Sequence, residues 1–476
     1  MAKKFFFHIL GRRNYMIPVE KIASGTITNL ILYCSIIGVL LFIATLLRTK
    51  IAFFRKAFIP ASLIAGIIGL ILGPYVLKVF PAEMRSSFGA LPTPLIVVVF
   101  ACMMLGTKHN VSKQALIGAA PSIVQCYTYS FIQVGLTALL TAFVFTPLWG
   151  TNPLFGSVIE IGFEGGHGTA SGMKEVFEEL NWAAGADVSQ TTATIGLLVG
   201  VVGGIILINI GVKKGWTTLL ESSASLSGDA KEIFPEGERK ASTYTTISGN
   251  VIDTFAFHAA LIGIAILIGQ AIVKAFAYFF DFSLPLFPFA MIGGWLLNMI
   301  LQKTPVADMM DRGVFVRIQG LAMDFLIVAA VASVSIPVVL EYWKELLISC
   351  VVATAACIAL MLYFGPRLYP RHWFESSILR FGIATGVAAI GLMLMRVCDP
   401  DTKTDAAETY ALGSPFCSPF VGGGLVTTAY PYLILSMGIV KFGLLFTGLT
   451  FAVFLVCRII PGLWQKKPQY KQRGNI

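Results

Sequence analysis

Residues 153–173 read PLFGSVIEIGFEGGHGTASGM, and this stretch decides the fold. It is apolar enough to enter a membrane, but the Gly-Gly-His-Gly run at 165–168 makes a straight spanning helix unfavourable. Irregular backbone is tolerated at membrane depth only where protein or a wet cavity surrounds it. We therefore predict a re-entrant hairpin here, which enters and leaves on the same side of the bilayer.

The composition places this stretch in a polytopic membrane protein. Of the 476 residues 56% are hydrophobic and 13% are charged, and the charged share is about half that of a soluble protein. The charge-free runs predict an all-α polytopic membrane protein with about eleven transmembrane helices. The net charge of +10 fits basic cytoplasmic loops, so we expect no nucleic-acid partner.

The second half repeats the Gly-broken pattern at 376–395, SSILRFGIATGVAAIGLMLM, and IPASLIAGIIG at 59–69 is similar to FPFAMIGGWLL at 287–297. These likenesses predict two inverted five-helix repeats, each with a re-entrant hairpin. The predicted organisation is an interfacial N-terminal segment (1–25), a first repeat (26–212) with its hairpin near 153–173, a cytoplasmic linker (213–252), a second repeat (253–436) with its hairpin near 376–395, and a final helix with a basic cytoplasmic tail (437–476).

Four ionisable residues fall inside or at the ends of apolar runs, where a charge costs roughly 2.5–3.5 kcal/mol. Glu160 and Glu164 are one helical turn apart and can bind Na⁺ or a substrate ammonium, although Glu160 can equally lie at the membrane interface. Asp324 is a candidate for a Na⁺ or H⁺ site, with a buried ion pair as the alternative. Arg380 can clamp a carboxylate or serve as a snorkelling anchor. Asp324 and Glu164 are thus the candidate Na⁺ ligands.

The hairpin turns supply further candidates for substrate and ion binding. A broken helix exposes N–H groups, which attract carboxylates, and carbonyl groups, which attract Na⁺. The candidates are Gly165, Gly166, His167, Gly168 and Thr169 in the first hairpin, and Thr385 and Gly386 in the second. The alternatives are that these glycines only allow close helix packing and that His167 only shapes the backbone.

The stretch GSVIEIGFEGGHGTASGMKEVFEEL (156–180) and the following TTATIGLLVGVVGGI (191–205) resemble the first re-entrant region and the next helix of the sodium/glutamate symporters, a family of bacterial secondary transporters. IPASLIAGIIGLILGP (59–74) resembles the second helix of that family. The resemblance implies Na⁺-coupled uptake of glutamate, with GGHGT as the signature of the first hairpin, by a homodimer that moves a transport unit against a scaffold. It implies Na⁺ as coupling ion and no other cofactor.

Two departures from the family pattern leave the substrate open. Glu164 stands where typical members have a small polar residue, and the second hairpin has less Gly, Thr and Pro than theirs. The expected substrate is therefore glutamate or a related small organic anion. The Lys and Arg distribution predicts an outside N-terminus and a cytoplasmic C-terminus in a bacterial inner membrane, with the basic N-terminal tail as the exception.

Other classes of function are weaker or remain open. The sequence has no HExxH and no GxxxxGK[ST] motif, and Ser171 with His258 lacks the spacing of a protease dyad, so we expect no enzyme. The eight cysteines have no paired spacing and are expected as buried small hydrophobes. A passive channel, or a transporter of the same fold with another substrate or with H⁺ coupling, remains an alternative.

Overall fold

A computed structural model describes residues 24–56, 59–107, 113–220, 236–238, 241–280, 285–399 and 403–459. Every regular element in these ranges is a helix, which confirms the all-α fold class. The predicted interfacial segment, the middle of the predicted linker and the basic tail lie outside the described residues.

Within the part of the chain that the structure describes, the first half forms eleven α-helices. They are α1 (Ser24–Lys50), α2 (Ala52–Lys56), α3 (Ala61–Leu72), α4 (Ala82–Ala90), α5 (Pro92–Met104), α6 (Lys113–Leu140), α7 (Thr146–Trp149), α8 (Val158–Phe163), α9 (Gly166–Gly172), α10 (Lys174–Glu179) and α11 (Ala184–Lys214). A π-helical turn (Thr141–Phe145) joins α6 to α7, and a 3₁₀ turn (Pro153–Ser157) leads into α8.

The second half adds nine α-helices. They are α12 (Thr254–Phe280), α13 (Leu286–Leu301), α14 (Arg312–Ala332), α15 (Ile336–Glu341), α16 (Trp343–Leu368), α17 (Trp373–Cys398), α18 (Ala406–Cys417), α19 (Leu425–Met437) and α20 (Ile439–Ile459). Short 3₁₀ turns are present at Glu236–Glu238 and Pro305–Met309.

Eight helices in the described part of the chain are long and apolar enough to cross a membrane. They are Ser24–Lys50, Ala82–Met104, Gly118–Trp149, Ala184–Lys214, Thr254–Tyr278, Arg312–Ala332, Trp343–Leu368 and Ile439–Ile459. The charge-free runs at 56–78, 281–303 and 408–441, each predicted as a span, coincide with shorter helices: α3, α13 and the pair α18–α19. Helix α3 has 12 residues and is only about 18 Å long, against roughly 30 Å of hydrocarbon. The count of eleven spans stays a prediction.

Most helix–helix contacts fall into two groups. In one group α3 packs on α1 and α14, while α13 packs on α5 and α12 and α5 also packs on α14. In the other group α6 packs on α16, α18 and α20, and α11 packs on α8 and α17. Helix α9 belongs to the second group through α11 and also contacts α5 and α14 of the first. The first predicted hairpin therefore lies where the two groups meet.

Two glycines bring α9 close to the first group. A β-carbon on Gly168 would lie 2.3 Å from Cδ1 of Ile96, and one on Gly172 would lie 2.5 Å from Cε1 of Phe287. Only a residue without a side chain leaves room for these neighbours. The backbone of α9 therefore lies directly against side chains of the first group, which explains the small residues of this segment.

Candidate functional site

The first break in a helix lies at Glu164, Gly165 and Gly166. Helix α8 ends at Phe163, and α9 begins at Gly166 with a left-handed φ of +69°. Glycine adopts this conformation readily because it has no Cβ. A β-carbon on Gly165 would also lie 2.5 Å from the carbonyl oxygen of Ile161. The glycine pair therefore allows the chain to change direction here.

A second break interrupts α17 at Gly386 and Val387. Gly386 has φ −146° and ψ 32°, and Val387 has φ 64° and ψ 172°. The arms on either side fold back on each other, since a β-carbon on Gly382 would lie 2.7 Å from Cα of Gly391. The conformation of Val387 is almost restricted to glycine and costs about 1–3 kcal/mol. Residues 373–398 therefore form a helical hairpin with a strained tip.

The two tips contact each other, and both contact helix α11. A β-carbon on Gly166 would lie 2.4 Å from Cγ1 of Val387. Helix α11 runs past both tips, because a β-carbon on Gly196 would lie 2.3 Å from the carbonyl oxygen of Thr385 and 2.8 Å from Cδ1 of Phe163. The structure thus brings together the glycine-containing turns that the sequence placed in separate halves.

Glu160 is buried one turn before the first tip. Its Oε1 atom accepts hydrogen bonds from the hydroxyls of Ser130 (2.8 Å) and Thr427 (2.9 Å) and from the backbone N–H of Gly422 (3.0 Å). Its Oε2 atom has no hydrogen-bond partner among the described residues. One oxygen of this carboxylate therefore holds it in place, and the other is available to a ligand. The side chain of Glu160 is 0% exposed, so protein encloses it on all sides.

Glu164 lies at the tip itself and is 8% exposed. Its Oε1 atom accepts a long hydrogen bond from the thiol of Cys126 at 3.5 Å, and its Oε2 atom has no partner in the described chain. Gly422 covers the side chain, since a β-carbon there would lie 3.0 Å from Cγ of Glu164. A carboxylate buried with a single weak donor is poorly stabilised by protein groups alone.

Arg380, in the first arm of α17, supplies the positive charge of this region. Its side chain is 3% exposed and lies over the ring of Tyr410, 5.8 Å from its centroid. It interacts electrostatically with Glu164 and with Cys417. Among the described residues neither its Nε nor its Nη2 atom has a hydrogen-bond partner. These two nitrogens form one edge of the guanidinium, which can hold both oxygens of a carboxylate.

Helix α6 holds both hairpins through a polar stripe that the sequence analysis missed. Cys126, Ser130 and Gln133 recur at the i, i+4, i+7 spacing of one helix face. Cys126 and Ser130 donate to Glu164 and Glu160, and Gln133 donates from Nε2 to the carbonyl oxygen of Ala384 at 2.8 Å. Polar residues at this spacing in an otherwise apolar helix were the available signal.

The loop between α18 and α19 is a second missed element. Residues 421–424 read VGGG, and Gly422 and Gly423 have left-handed φ values of +65° and +103°. A β-carbon on Gly423 would lie 2.3 Å from Oγ1 of Thr169. The loop therefore packs against the first hairpin and interrupts the charge-free run at 408–441 that was predicted as a span. The glycine triplet was its signal in the sequence.

The remaining signature residues contact helix neighbours. Nε2 of His167 lies 2.9 Å from Oγ1 of Thr194 on α11, while the hydroxyl of Thr169 donates to the carbonyl of Gly165 at 2.8 Å. The hydroxyl of Thr385 donates to the carbonyl of Phe381 at 2.8 Å. One ring nitrogen of His167 and both threonine hydroxyls thus bond to groups of the hairpins or of α11, and a role for these residues in binding stays a prediction.

Asp324 lies away from the two hairpin tips, and a separate Na⁺ or H⁺ site at this residue stays a prediction. Leu326 faces α9, 3.8 Å from the β-carbon position of Gly168. Asp324 is two residues away, on nearly the opposite side of α14. Its side chain is exposed and takes a hydrogen bond from Ser62 on α3. It is therefore not a candidate Na⁺ ligand at the hairpin tips.

Ser171 and His258, the two residues that a serine protease dyad would need, make unrelated hydrogen bonds. Ser171 donates to the carbonyl of His167 at 2.7 Å and accepts from Gln190. His258 contacts the carbonyl of Thr254 at 2.7 Å through Nδ1 and the N–H of Asp311 at 2.8 Å through Nε2. His258 is a satisfied helix-end histidine. Seven of the eight cysteines are buried, as predicted, and Cys34 is half-buried.

Two broken helices thus meet inside a multi-pass helical protein, with buried ionisable groups beside the breaks, which is how membrane transporters build binding sites. The sequence model of one family, the sodium/glutamate symporters, matches residues 26–372. This is most of the chain, which therefore belongs to the sodium/glutamate symporter family, and the resemblance described above is confirmed. The match ends before α17, so Arg380 and the second hairpin lie beyond it.

The other comparisons add little. No curated protein matches the chain. One solved structure, the sodium proton antiporter MjNhaP1 from Methanocaldococcus jannaschii at pH 8, is similar at 15% identity with a TM-score of 0.37. The alignment covers 87% of this chain and 99% of that one. We draw no argument from a likeness at that score.

Proposed function

We propose that this protein is a Na⁺-coupled symporter that takes up glutamate or a related small organic anion by alternating access. The observation that carries the proposal is the buried edge of Arg380, whose Nε and Nη2 atoms lack partners in the described chain. A buried guanidinium is expensive unless an anion compensates it. A carboxylate bound to both nitrogens would compensate it.

The two carboxylates beside the first tip support the coupling ion. Glu160 and Glu164 each keep one oxygen without a protein partner in the described residues. Hard cations such as Na⁺ take oxygen ligands, and the carbonyl groups at a broken helix supply more of them. With Arg380 the site has two acids and one base, so binding of an anion would leave it negative. More than one Na⁺ would restore neutrality.

The position of the hairpins supports alternating access. Helix α9 of the first hairpin packs on α11 in one helix group and on α5 and α14 in the other. A displacement of one group against the other would therefore carry the site past a different set of neighbours. We propose a homodimer in a bacterial inner membrane, with the N-terminus outside and the C-terminus in the cytoplasm, as the setting.

H⁺ coupling is the second candidate, and Glu164 favours it. A carboxylate that is 8% exposed and receives only a thiol hydrogen bond is a good proton carrier. Replacing Na⁺ by choline at a fixed pH gradient separates the two. Na⁺ coupling predicts loss of accumulation in choline, and H⁺ coupling predicts its persistence.

Purified protein in proteoliposomes tests the proposal. Radiolabelled glutamate, other amino acids and dicarboxylates are offered with an inward Na⁺ gradient, and the reversal potential gives the stoichiometry. We expect accumulation that needs the gradient, with more than one Na⁺ per anion, so that a membrane potential of 100 mV adds about 2.3 kcal/mol per net charge. Downhill flux without accumulation would show a passive channel instead.

A further inference from the structure

Two buried thiols lie between the opposite charges of the candidate site. Cys126 of α6 and Cys417 of α18 pack together in one buried cluster with Val421. Cys126 also donates to Glu164 at 3.5 Å, and Cys417 lies near enough to Arg380 to interact with it electrostatically. The pair therefore connects the acid of one hairpin to the base of the other.

Neighbouring contacts also hold α6 and α18 together beside these thiols. Tyr127, next to Cys126, donates its hydroxyl to the carbonyl of Phe416, next to Cys417, at 2.8 Å. One turn away, a β-carbon on Gly413 would lie 3.3 Å from Cβ of Ser122. The helices are thus in contact on both sides of the cysteine pair.

We propose that Cys126 and Cys417 form a reversible disulfide that switches off the candidate site. A peroxide is the oxidant. One thiolate attacks the O–O bond, which gives a sulfenic acid and hydroxide, and hydroxide takes up the proton that the thiol released to form water. The second thiol then displaces the sulfenic oxygen as a second water. In sum two S–H groups and one hydrogen peroxide give one S–S bond and two waters.

The bond acts on the site directly. Cys126 loses the hydrogen that it donates to Glu164, which then has no donor among the hydrogen bonds described. Cys417 loses its hydrogen as well, and α6 becomes covalently fixed to α18 beside Arg380. Any route wide enough for an organic anion admits hydrogen peroxide, so burial of the thiols does not prevent the reaction. Reduction by a small dithiol restores the two S–H groups.

The test uses the full chain in proteoliposomes. After treatment with hydrogen peroxide, free thiols are blocked with N-ethylmaleimide, the protein is reduced with dithiothreitol, and newly exposed thiols receive an isotopically heavy maleimide for mass spectrometry. We expect heavy label on Cys126 and Cys417 and not on Cys350. This readout needs no transport, so it stands apart from the proposed function.

Uptake of the best substrate, measured in parallel, tests the functional consequence. We expect a loss of about fivefold or more, the fold-change that ~1 kcal/mol represents for one hydrogen bond, with recovery in dithiothreitol. The variants Cys126→Ser and Cys417→Ser, each compared with its own untreated uptake, should become insensitive to peroxide, and Cys350→Ser should stay sensitive. Heavy label on neither or only one of the two cysteines overturns the proposal. So does a disulfide that leaves wild-type uptake unchanged.

Discussion

Gly166 and Val387 contact each other, and both have left-handed φ values, +69° and 64°. A β-carbon on Gly166 would lie 2.4 Å from Cγ1 of Val387. The two residues lie at the breaks of hairpins that belong to different halves of the chain. Each hairpin therefore limits the shape of the other, and the site between them exists only when both are formed.

Gly166→Ala is expected to reduce uptake by at least about tenfold, because the new methyl group collides with Val387 and the left-handed φ disfavours alanine. Gly263→Ala is the control, since nothing lies within 4 Å of a β-carbon there. Adding Val387→Gly to Gly166→Ala should recover part of the uptake. Equal uptake by Gly166→Ala and Gly263→Ala would contradict the contact.

Arg380→Lys is expected to raise the substrate KM by about tenfold or more, because an ammonium cannot hold both oxygens of a carboxylate in a fixed fork. The Na⁺ concentration for half-maximal uptake should change much less. Arg317→Lys, at an exposed position of α14, is the matched control. A KM that stays within twofold would remove Arg380 from the binding site.

Glu160→Gln is expected to raise the half-saturating Na⁺ concentration by about tenfold. Glutamine retains an oxygen for the donors Ser130, Thr427 and Gly422, but it replaces the second oxygen and removes the negative charge. Asp324→Asn serves as the comparison, and we expect it to leave Na⁺ activation unchanged. The reverse ranking of the two variants would return the cation site to α14.

Gln133→Met retains the length of the side chain and deletes the hydrogen bond to the carbonyl of Ala384. Because a net hydrogen bond is worth about 1 kcal/mol, we expect the substrate KM and the half-saturating Na⁺ concentration to rise together, each about fivefold. Gln270→Met, on α12 outside the site, should behave as wild type. A change in only one of the two constants would mean that Gln133 binds one ligand directly.

Asp399 follows the second hairpin and gives a pH-dependent prediction. Burial acts to raise the pKa of Asp399, but hydrogen bonds from Thr404 (2.6 and 2.7 Å) and from the backbone N–H of Lys403 (2.8 Å) outweigh it, so the pKa is lowered. A lowered folded pKa stabilises the protein above the unfolded pKa, and this stability is lost as pH falls through the folded pKa.

The test compares Asp399→Asn with wild type across acidic pH in detergent. The variant should unfold about 2 °C lower at pH 7, and the difference should disappear at low pH. Glu83→Gln, at an exposed position of α4, is the control. A difference that persists at low pH would show that the carboxylate charge is not the cause.

The chain breaks at glycine and the buried acids could be predicted from the sequence, because each depends on residues that are close together in the chain. Gly165, Gly166 and Gly386 mark chain breaks whatever surrounds them, since a residue without Cβ tolerates conformations that others avoid. Glu160 and Glu164 had to lie together because one helical turn separates them. These features predicted two broken helices with buried acids beside the first, and the structure brings the breaks together.

The sequence did not show which face of a helix packs against the site. Leu326 and Asp324 are close in sequence, but the rotation of α14 in its group puts Leu326 on the hairpin and Asp324 on the exposed side. That rotation depends on packing with α3 and α5, which no single segment encodes. The same limit concealed Gln133, whose role follows from the position of Ala384 in a distant part of the chain.

The strained tip of α17 has a consequence for how the protein is made. Val387 does not favour its own backbone conformation, and Ala388 with Ala389 would suit a continuing helix. Three of the residues that contact the tip, Gly166, Gly196 and Gln133, come from the first half. Because synthesis starts at the N-terminus, these groups already exist when residues 373–398 leave the ribosome. The first half therefore serves as the template on which the second hairpin is bent.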